Sequence, residues 1–506
     1  MTPTGVRGPT GRMGELSNEV KVLRDRIRRG GGARESDAQH EAGKLTARER
    51  IGLLLDTAQP SVELGLFVGS DADEASPAAG VVTCVGRVGG REVVVVANDA
   101  TVERGAWTSH TVAKILRAQE ASMRCKIPIV YLVDSEGLQV PVQPEVFPGQ
   151  YGAGRVLYYA AVMRRHLGVP QLAALMGPSL GGAAYLPALA DVIVMVEGTS
   201  FLGLGSPELV KRSTGRDVPA EELGGAAVHT ETSGVAHYRV GSDAACLDKL
   251  RELLAELPAA AEARRVATPP MRLSYELYDL VPDDHRQPYD ARAVLECVLD
   301  GDPLDEFQAD YAPELICGTG FVEGERVAVI ANARGLLRPA GGGPARFGGL
   351  VYQESARKAA YFIETMNRHR TPLLFVQDVA GFMIGPEAER AGIIRAGAEM
   401  VEAMATATVP KIVLTLNHAS GAGYYAMGGQ GFDPDFVVSL PTGRLGVVEG
   451  EDSVSGAGGE ADARLAAARG FVDEILLPEE LRPALGLLVS AARSNAGPHV
   501  GPFQVS

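Results

Sequence analysis

The chain has few cysteines. There are five in 506 residues, Cys84, Cys125, Cys246, Cys297 and Cys317, and no two stand at CxxC spacing. That scatter excludes a zinc ribbon and a disulfide framework, and it fits a reducing, cytoplasmic setting. No apolar run reaches the ~18 residues that a membrane helix needs. No signal-peptide core stands at the N-terminus. Basic charge is in the minority: 48 Lys and Arg face 63 Asp and Glu, for a formal net charge of −15. Without a basic stripe to neutralise phosphates, a nucleic-acid surface is not expected. There is no HExxH motif and no persuasive Ser-His-Asp ordering, so neither a bound metal nor a serine triad is expected.

What the chain does contain is repetition. VPQLAALMGPSLGGAAY, beginning at Val169, is echoed by VPKIVLTLNHASGAGYY, beginning at Val409. Pro170 and Pro410 are 240 positions apart, and so are Gly181 and Gly421. Further echoes keep the same order. YLVDSEG answers FVQDVAG, with Asp134 and Asp378 244 apart. VVVVAN answers VAVIAN, with Asn98 and Asn332 234 apart. LTARERIGLLLD answers YDARAVLECVLD, with Asp56 and Asp300 244 apart. Drifting offsets are what loop insertions produce, and a period near 240 residues marks a domain duplication rather than a solenoid.

Residues 1–42 are rich in Gly, Arg and Glu, and read as one helix (about 15 to 29) followed by a flexible linker, RRGGGARE. Residues 43–265 form the first unit and 266–506 the second, with TPP at Thr268–Pro270 between them. In both, short β-branched runs alternate with helical patterns, which reads as α/β with repeated strand–strand–helix turns.

The glycine turns carry the chemistry. Around Gly181-Gly182, followed by a helical segment, consecutive N–H groups can converge with no side chain in the way. The start of a helix adds its positive end. A thioester carbonyl on those amides becomes a better electron sink, and its enolate oxygen is held where charge develops. Losing one such donor typically costs roughly 3–4 kcal/mol in the barrier. An isolated Gly-Gly is commonly only a structural turn. A second copy, Ser420-Gly421-Ala422-Gly423-Tyr424-Tyr425, at the same distance from its own Val-Pro, favours the anion site. The second turn can hold another developing oxyanion, such as a biotin ureido oxygen. His418 reads as a packing or hydrogen-bonding residue, and Glu449 and Glu451 as solvated or capping acids.

From about Gly43 to its end, the chain resembles the carboxyltransferase (beta) subunits of biotin-dependent acyl-CoA carboxylases. The stretches that carry the likeness are GKLTARERIGLLLD, ANDATVERGAW, PEVFPG, GPSLGGAAYLPALAD, ELGGAAVHTETSGVAHY, QDVAGFMIG, AGIIRAGAEMVEAMATATVPKI and GFVDEILLPEELRPAL. ANDATVERGAW, PEVFPG and SGAGYY are similar to the methylcrotonyl-CoA-type branch. The resemblance implies two tandem crotonase-like (ββα superhelix) domains, an N-terminal carboxyltransferase domain on the acyl-CoA side and a C-terminal one on the biotin side. It implies a homohexamer with active sites between protomers. Gly181 and Gly182 then correspond to the thioester oxyanion turn, and Ala422 and Gly423 to the biotin one. Ala183, Tyr185, Gly421, Tyr424 and Tyr425 are expected to line the substrates, with Tyr425 where the family carries a residue that influences acyl choice. The implied reaction moves a carboxyl group from carboxybiotin to an acyl-CoA.

No AMKM-type biotin-attachment motif and no ATP-binding carboxylase domain is recognisable, so a biotin carboxylase/biotin carboxyl carrier partner is expected. The same turns would serve a biotin-dependent acyl-CoA decarboxylase, or a repurposed biotin-independent acyl-CoA enzyme of secondary metabolism. The chain differs from the family pattern at Glu136, at Glu449-Gly450, and in a shortened stretch after Glu451.

Overall fold

The computed structural model describes residues 11–72, 76–138, 141, 143–258, 265–284, 287–338, 344–447 and 461–501. By internal contact the chain divides into a unit built on Arg24–Ala261 and one built on Met1–Leu23 with Glu262–Gln504. The division lies a few residues before the expected boundary at 265/266. Of the N-terminal segment, residues 11–23 group with one unit and 24–42 with the other. Nor is the expected linker left as coil. The first helix spans Gly11–Arg28, and a second, Ala33–Glu41, follows directly. Between them Gly31 donates its amide to Thr101 Oγ1 at 3.0 Å. Any Cβ on Gly31 would collide with the Thr101 carbonyl. The glycine run there serves close approach, a use that composition alone does not separate from flexibility.

In the first unit β1 (Val62–Glu63), β2 (Val81–Val88), β3 (Arg91–Asn98), β4 (Ile129–Ser135), β5 (Gln171–Leu180), β6 (Val192–Val196) and β8 (Tyr238–Val240) lie in that order in one sheet. The short β7 (Phe201–Gly203) adds itself beside the end of β5. In the second unit the order is β9 (Asp305–Phe307), β10 (Leu315–Val322), β11 (Glu325–Asn332), β15 (Leu373–Val379) and β17 (Lys411–Ser420), with β18 (Phe436–Ser439) on β17 and β21 (Glu474–Ile475) on β18. Here β19 (Arg444–Gly446) takes the place of β7 and is itself paired with β20 (Ala461–Asp462). Two small ribbons, β12 (Leu336–Leu337) with β13 (Arg346–Phe347) and β14 (Leu350–Val351) with β16 (Gly381–Phe382), are additions of the second unit.

From β3 and β11 onward the main pairings are parallel. Parallel sheets need cover on both faces, which is why these strands read as unbroken apolar runs. In the first unit the helices Ala47–Leu54 and Asp243–Glu256 cover one face through Leu54, Leu247, Leu250 and Leu254. The helix Ser109–Cys125 packs on β2 and β3, with Ala153–Val162 beside it. In the second unit Gln353–Arg368 and Ile393–Thr406 pack together, and Pro478–Arg493 packs on β10 and β11.

The sequence echoes have local causes. Asp56 accepts the Gly89 and Gly90 amides of the β2–β3 hairpin at 2.8 Å each. Asp300 accepts the Gly324 amide of the β10–β11 hairpin at 3.0 Å. The Pro170 and Pro410 carbonyls accept the first amides of β4 and β15, from Ile129 at 2.9 Å and Leu373 at 2.8 Å. Further equivalences follow at the same spacing. Lys114 and Lys358 are buried. Lys114 Nζ donates to the Ala78 carbonyl at 2.9 Å and Lys358 Nζ to that of Tyr311 at 2.9 Å. Arg48 makes a two-bond ion pair with Glu63, and Arg292 makes one with Glu306.

Candidate active site

The two glycine turns have nearly the same backbone. The last residue of β5, Leu180, has φ −117° and ψ 148°, and the last of β17, Ser420, has φ −119° and ψ 147°. The next residue then turns left-handed, Gly181 at φ 63° and Gly421 at φ 54°. Glycine adopts that region without a Cβ penalty. A 3-10 turn, Gly181–Ala184, leads into the helix Tyr185–Ala188, and the helix Gly421–Ala426 opens directly. These helices are short, so the polarity lies in their first amides rather than in a long macrodipole.

Exposure follows the same course through both turns. Gly182 and Ala422 are exposed, Ala183 and Gly423 are buried, and Tyr185 and Tyr425 are 50% and 55% exposed. This register aligns Gly181-Gly182 with Gly421-Ala422, one residue before the expected Ala422-Gly423 pair. A Cβ built on Gly181 or Gly182 would meet no atom within 4 Å. The space over the first turn is therefore open. At Gly423 a Cβ would press on Val379 and on Gly381. Gly423 thus lets the second turn sit against the arm that follows β15.

That arm is a feature the sequence reading left unassigned. Gly381 follows Asp378 as Gly137 follows Asp134, within the echo FVQDVAG and YLVDSEG. Gly137 lies against Leu180 and Ala183, and its amide donates to Ser135 Oγ at 3.1 Å. The shared D-x-x-G spacing was the signal that could have found both arms.

Behind each arm lies a buried aspartate. Arg50 Nη1 reaches Asp134 at 2.9 Å and Arg50 Nε reaches Asp243 at 2.7 Å, while Lys44 Nζ sits 2.8 Å from Asp134. Any Cβ on Gly177 would strike the Asp134 carboxylate, so the first glycine of GPSLGG makes room for this network. In the second unit Asp378 accepts the Tyr289 hydroxyl at 2.6 Å and lies 3.4 Å from Arg334 Nε. It also accepts the His418 amide at 3.2 Å, and its own amide donates to Asn332 Oδ1 at 3.2 Å. Burial, and then the Asp378 carboxylate, push the Tyr289 phenol well above its ordinary value.

Other side chains singled out by sequence fall as follows. Tyr424 is half-buried, its ring against Gly429 and its hydroxyl accepting the Gln430 amide at 3.0 Å. Tyr425 lies 6.1 Å from Phe432 between ring centroids, the rings tilted by 56°, and it remains half exposed. Glu136 is a surface group, 44% exposed in its side chain and 3.2 Å from Arg104. The His418 side chain is fully buried. GPSLG also spells a GxSxG pattern, but Ser179 is an interior residue of β5 with no exposure, so it presents no elbow nucleophile. Glu449, Gly450 and Glu451 lie outside the described residues, as does the shortened stretch after them through Glu460. All five cysteines are buried and none forms a disulfide. Among the described residues no cluster of three metal-ligating side chains occurs, and no helix is long and apolar enough to cross a membrane.

Comparison with known proteins gives one consistent result. The carboxyl transferase domain family matches residues 38–457. The biotin-dependent 3-methylcrotonyl-coenzyme A carboxylase beta1 subunit of Mycobacterium tuberculosis is 41% identical over 433 residues, covering 84% of this chain and 78% of that protein. The methylmalonyl-CoA decarboxylase subunit alpha of Veillonella parvula is 34% identical over 517 residues, covering 96% and 98%. Among solved structures, the beta subunit of geranyl-CoA carboxylase from P. aeruginosa superposes with a TM-score of 0.83 at 28% identity, covering 98% of this chain and 95% of that one. The α/β units described above are thus crotonase-like. The chain belongs to the carboxyl transferase domain family, among the carboxyltransferase beta subunits of biotin-dependent acyl-CoA carboxylases.

Proposed function

We propose that this subunit transfers a carboxyl group to an acyl-CoA, whose thioester oxygen rests on the Gly181-Gly182 amides. Ala422 and Gly423, with Gly421, serve the biotin side. Biotin on a separate carrier subunit supplies the carboxyl group when it docks. One observation carries the reading: two turns of matching backbone and matching exposure, in units whose strand orders also match. A site that must steady negative oxygen on both donor and acceptor needs two such cradles. Tyr185 and Tyr425, half exposed at equivalent places, are positioned to line the substrates. Ala183 is buried in the first turn and Tyr424 is half-buried in the second, where each supports its turn. Keeping water from both reactants matters, because enolates are readily protonated. In the full enzyme the chain works as a homo-oligomer in the cytoplasm, with the two kinds of turn brought together between protomers.

The test is direct. The purified chain is mixed with a biotin-carrying carboxylase partner, ATP, labelled bicarbonate and a panel of acyl-CoAs. Acid-stable label in one carboxylated acyl-CoA is expected and names the substrate. Turnover of acyl-CoA without biotin would overturn the proposal. The Veillonella relative supports a second reading, in which the same turns serve decarboxylation of a carboxylated acyl-CoA. Release of labelled carbon dioxide from such a substrate, with no forward incorporation, would select it.

A further inference from the structure

We infer that the N-terminal helix, through residues 11–23, is a positioning element for the second glycine turn. The inference rests on reading that turn as the biotin side. Met13, Ser17 and Val20, spaced along one helix face, are each at most 1% exposed. The thioether of Met13 lies 3.8 Å from Thr442 Oγ1, and that hydroxyl donates to the Leu416 carbonyl in β17 at 2.5 Å. Nearly two turns further along, Glu19 accepts Arg464 Nη1 at 2.7 Å. Arg464 in turn reaches Asp462 at 3.2 Å, and Asp462 caps the helix Ala463–Ala468 through the Leu465 amide at 2.8 Å. Lys21 pairs at 3.1 Å with Glu479, which also accepts the Tyr278 hydroxyl at 2.8 Å.

The Met13 and Glu19 contacts lead to one strand, while Lys21 ties the helix to the helix Pro478–Arg493. Asp462 is the β20 partner of Arg444 in β19. Thr442 lies two residues before β19, whose residues Arg444, Leu445 and Gly446 pair with His418, Ala419 and Ser420 of β17. Ser420 is the last residue before the Gly421 turn. The helix therefore fixes β19 from two sides, and β19 fixes the end of β17. Buried apolar packing by Met13 and Val20 carries most of the energy. The exposed Glu19–Arg464 pair adds register at little gain in stability. Neither helix residue touches a reacting atom in this reading, so the role is positioning.

Hydrogen exchange on the full chain tests it without any ligand. In Met13→Asp/Val20→Asp, amides in 418–426 and 444–446 are expected to exchange at least about tenfold faster, while those in 175–185 keep their rate. Glu19→Arg should show a smaller effect of the same pattern, reversed by adding Arg464→Glu. Steady-state kinetics with the biotin-carrying partner should show a raised KM for the carrier and an unchanged KM for acyl-CoA. Unchanged exchange at 418–426, while residues 11–23 themselves exchange freely, would overturn the inference. Equal acceleration at both turns would also overturn it, because it would signal general loosening. If Met13→Asp/Val20→Asp does not fold, the charge swap decides alone. Local exchange as expected, with the KM of acyl-CoA raised instead, would leave the brace standing and reject the biotin-side assignment.

Discussion

The two glycine turns have almost identical backbones and different supports. Beside the first, β7 is held by its own unit's later segment. His229 Nε2 lies 2.8 Å from the Leu202 carbonyl, and Gly224 packs against the same carbonyl. Beside the second, β19 is held by β20 and by contacts leading to the N-terminal helix. Beneath the first arm, Asp134 faces two cations, Arg50 and Lys44. Beneath the second, Asp378 faces Arg334 and the Tyr289 phenol. The position equivalent to Arg50 in the second unit's matching helix is Val294. The duplicated chain thus kept the turn and the buried acid while replacing what holds them. That is the pattern expected where turn geometry serves the reaction and the supports serve only the turn.

The largest expected effect separates geometry from chemistry at the first turn. Gly182→Val places its side chain in open space, so unfolding is not expected, and the thermal midpoint should stay near that of the parent. The side chain fills the space over the amides. Turnover is expected to fall by at least about 100-fold, the scale of a lost oxyanion donor. Gly182→Ala, which gives the first turn the Cβ that Ala422 carries in the second, should lose less. Near-normal turnover in the valine variant would reject the oxyanion role. A collapsed thermal midpoint would show that the two turns differ in packing as well as in ligand.

A smaller effect is expected at the buried acids. Asp134→Ala leaves Arg50 and Lys44 facing a space without their carboxylate. Breaking a buried pair in this way typically costs about 3–5 kcal/mol. Arg50 keeps Asp243, which limits the loss to the lower part of that range. Asp378→Ala removes a partner of Arg334 and of Tyr289, and the neutral phenol tolerates the change better than an ammonium does. Urea denaturation should rank Asp134→Ala as the more destabilised variant. The reverse order would mean that Tyr289 and Arg334 depend on their acid more than the first unit's pair does.

The duplication was legible in sequence because it lies in residues with local jobs. Asp56 and Asp300 hold hairpin amides, Pro170 and Pro410 stand at strand starts, and Gly181 and Gly421 make left-handed turns. Such residues cannot drift far without breaking the element that needs them. The supports were not legible. Arg50 meets Asp134 across 84 positions, and Met13 meets Thr442 across 429. Nothing in the spacing of either pair announces the contact, since it exists only after the sheets form. The linker misread has the same origin: Gly31 looks flexible until Thr101 is seen beside it.

The smallest expected effect concerns the one place where the two arms differ in charge. The first arm reads Asp134-Ser135-Glu136-Gly137 and the second Asp378-Val379-Ala380-Gly381, so Glu136→Ala makes the arms alike at that position. Glu136 pairs with Arg104 at 3.2 Å, but Arg104 is 78% exposed in its side chain and solvent screens the pair. Its loss should change stability by less than about 1 kcal/mol, as for most surface ion pairs. The backbone beside it should hold, because the Glu136 amide donates to the Arg104 carbonyl at 3.3 Å whatever the side chain. A carboxylate this close to the first turn has one further means of acting, through repulsion of the phosphates of an approaching acyl-CoA. Repulsion between exposed charges is screened within about 8 Å at physiological salt, so a steering role would show only as salt dependence. Measured at low and high ionic strength, the KM for acyl-CoA should be the same in Glu136→Ala as in the parent. A KM that drops in the variant at low salt and converges at high salt would show that the first arm uses its charge to select, which the second cannot do.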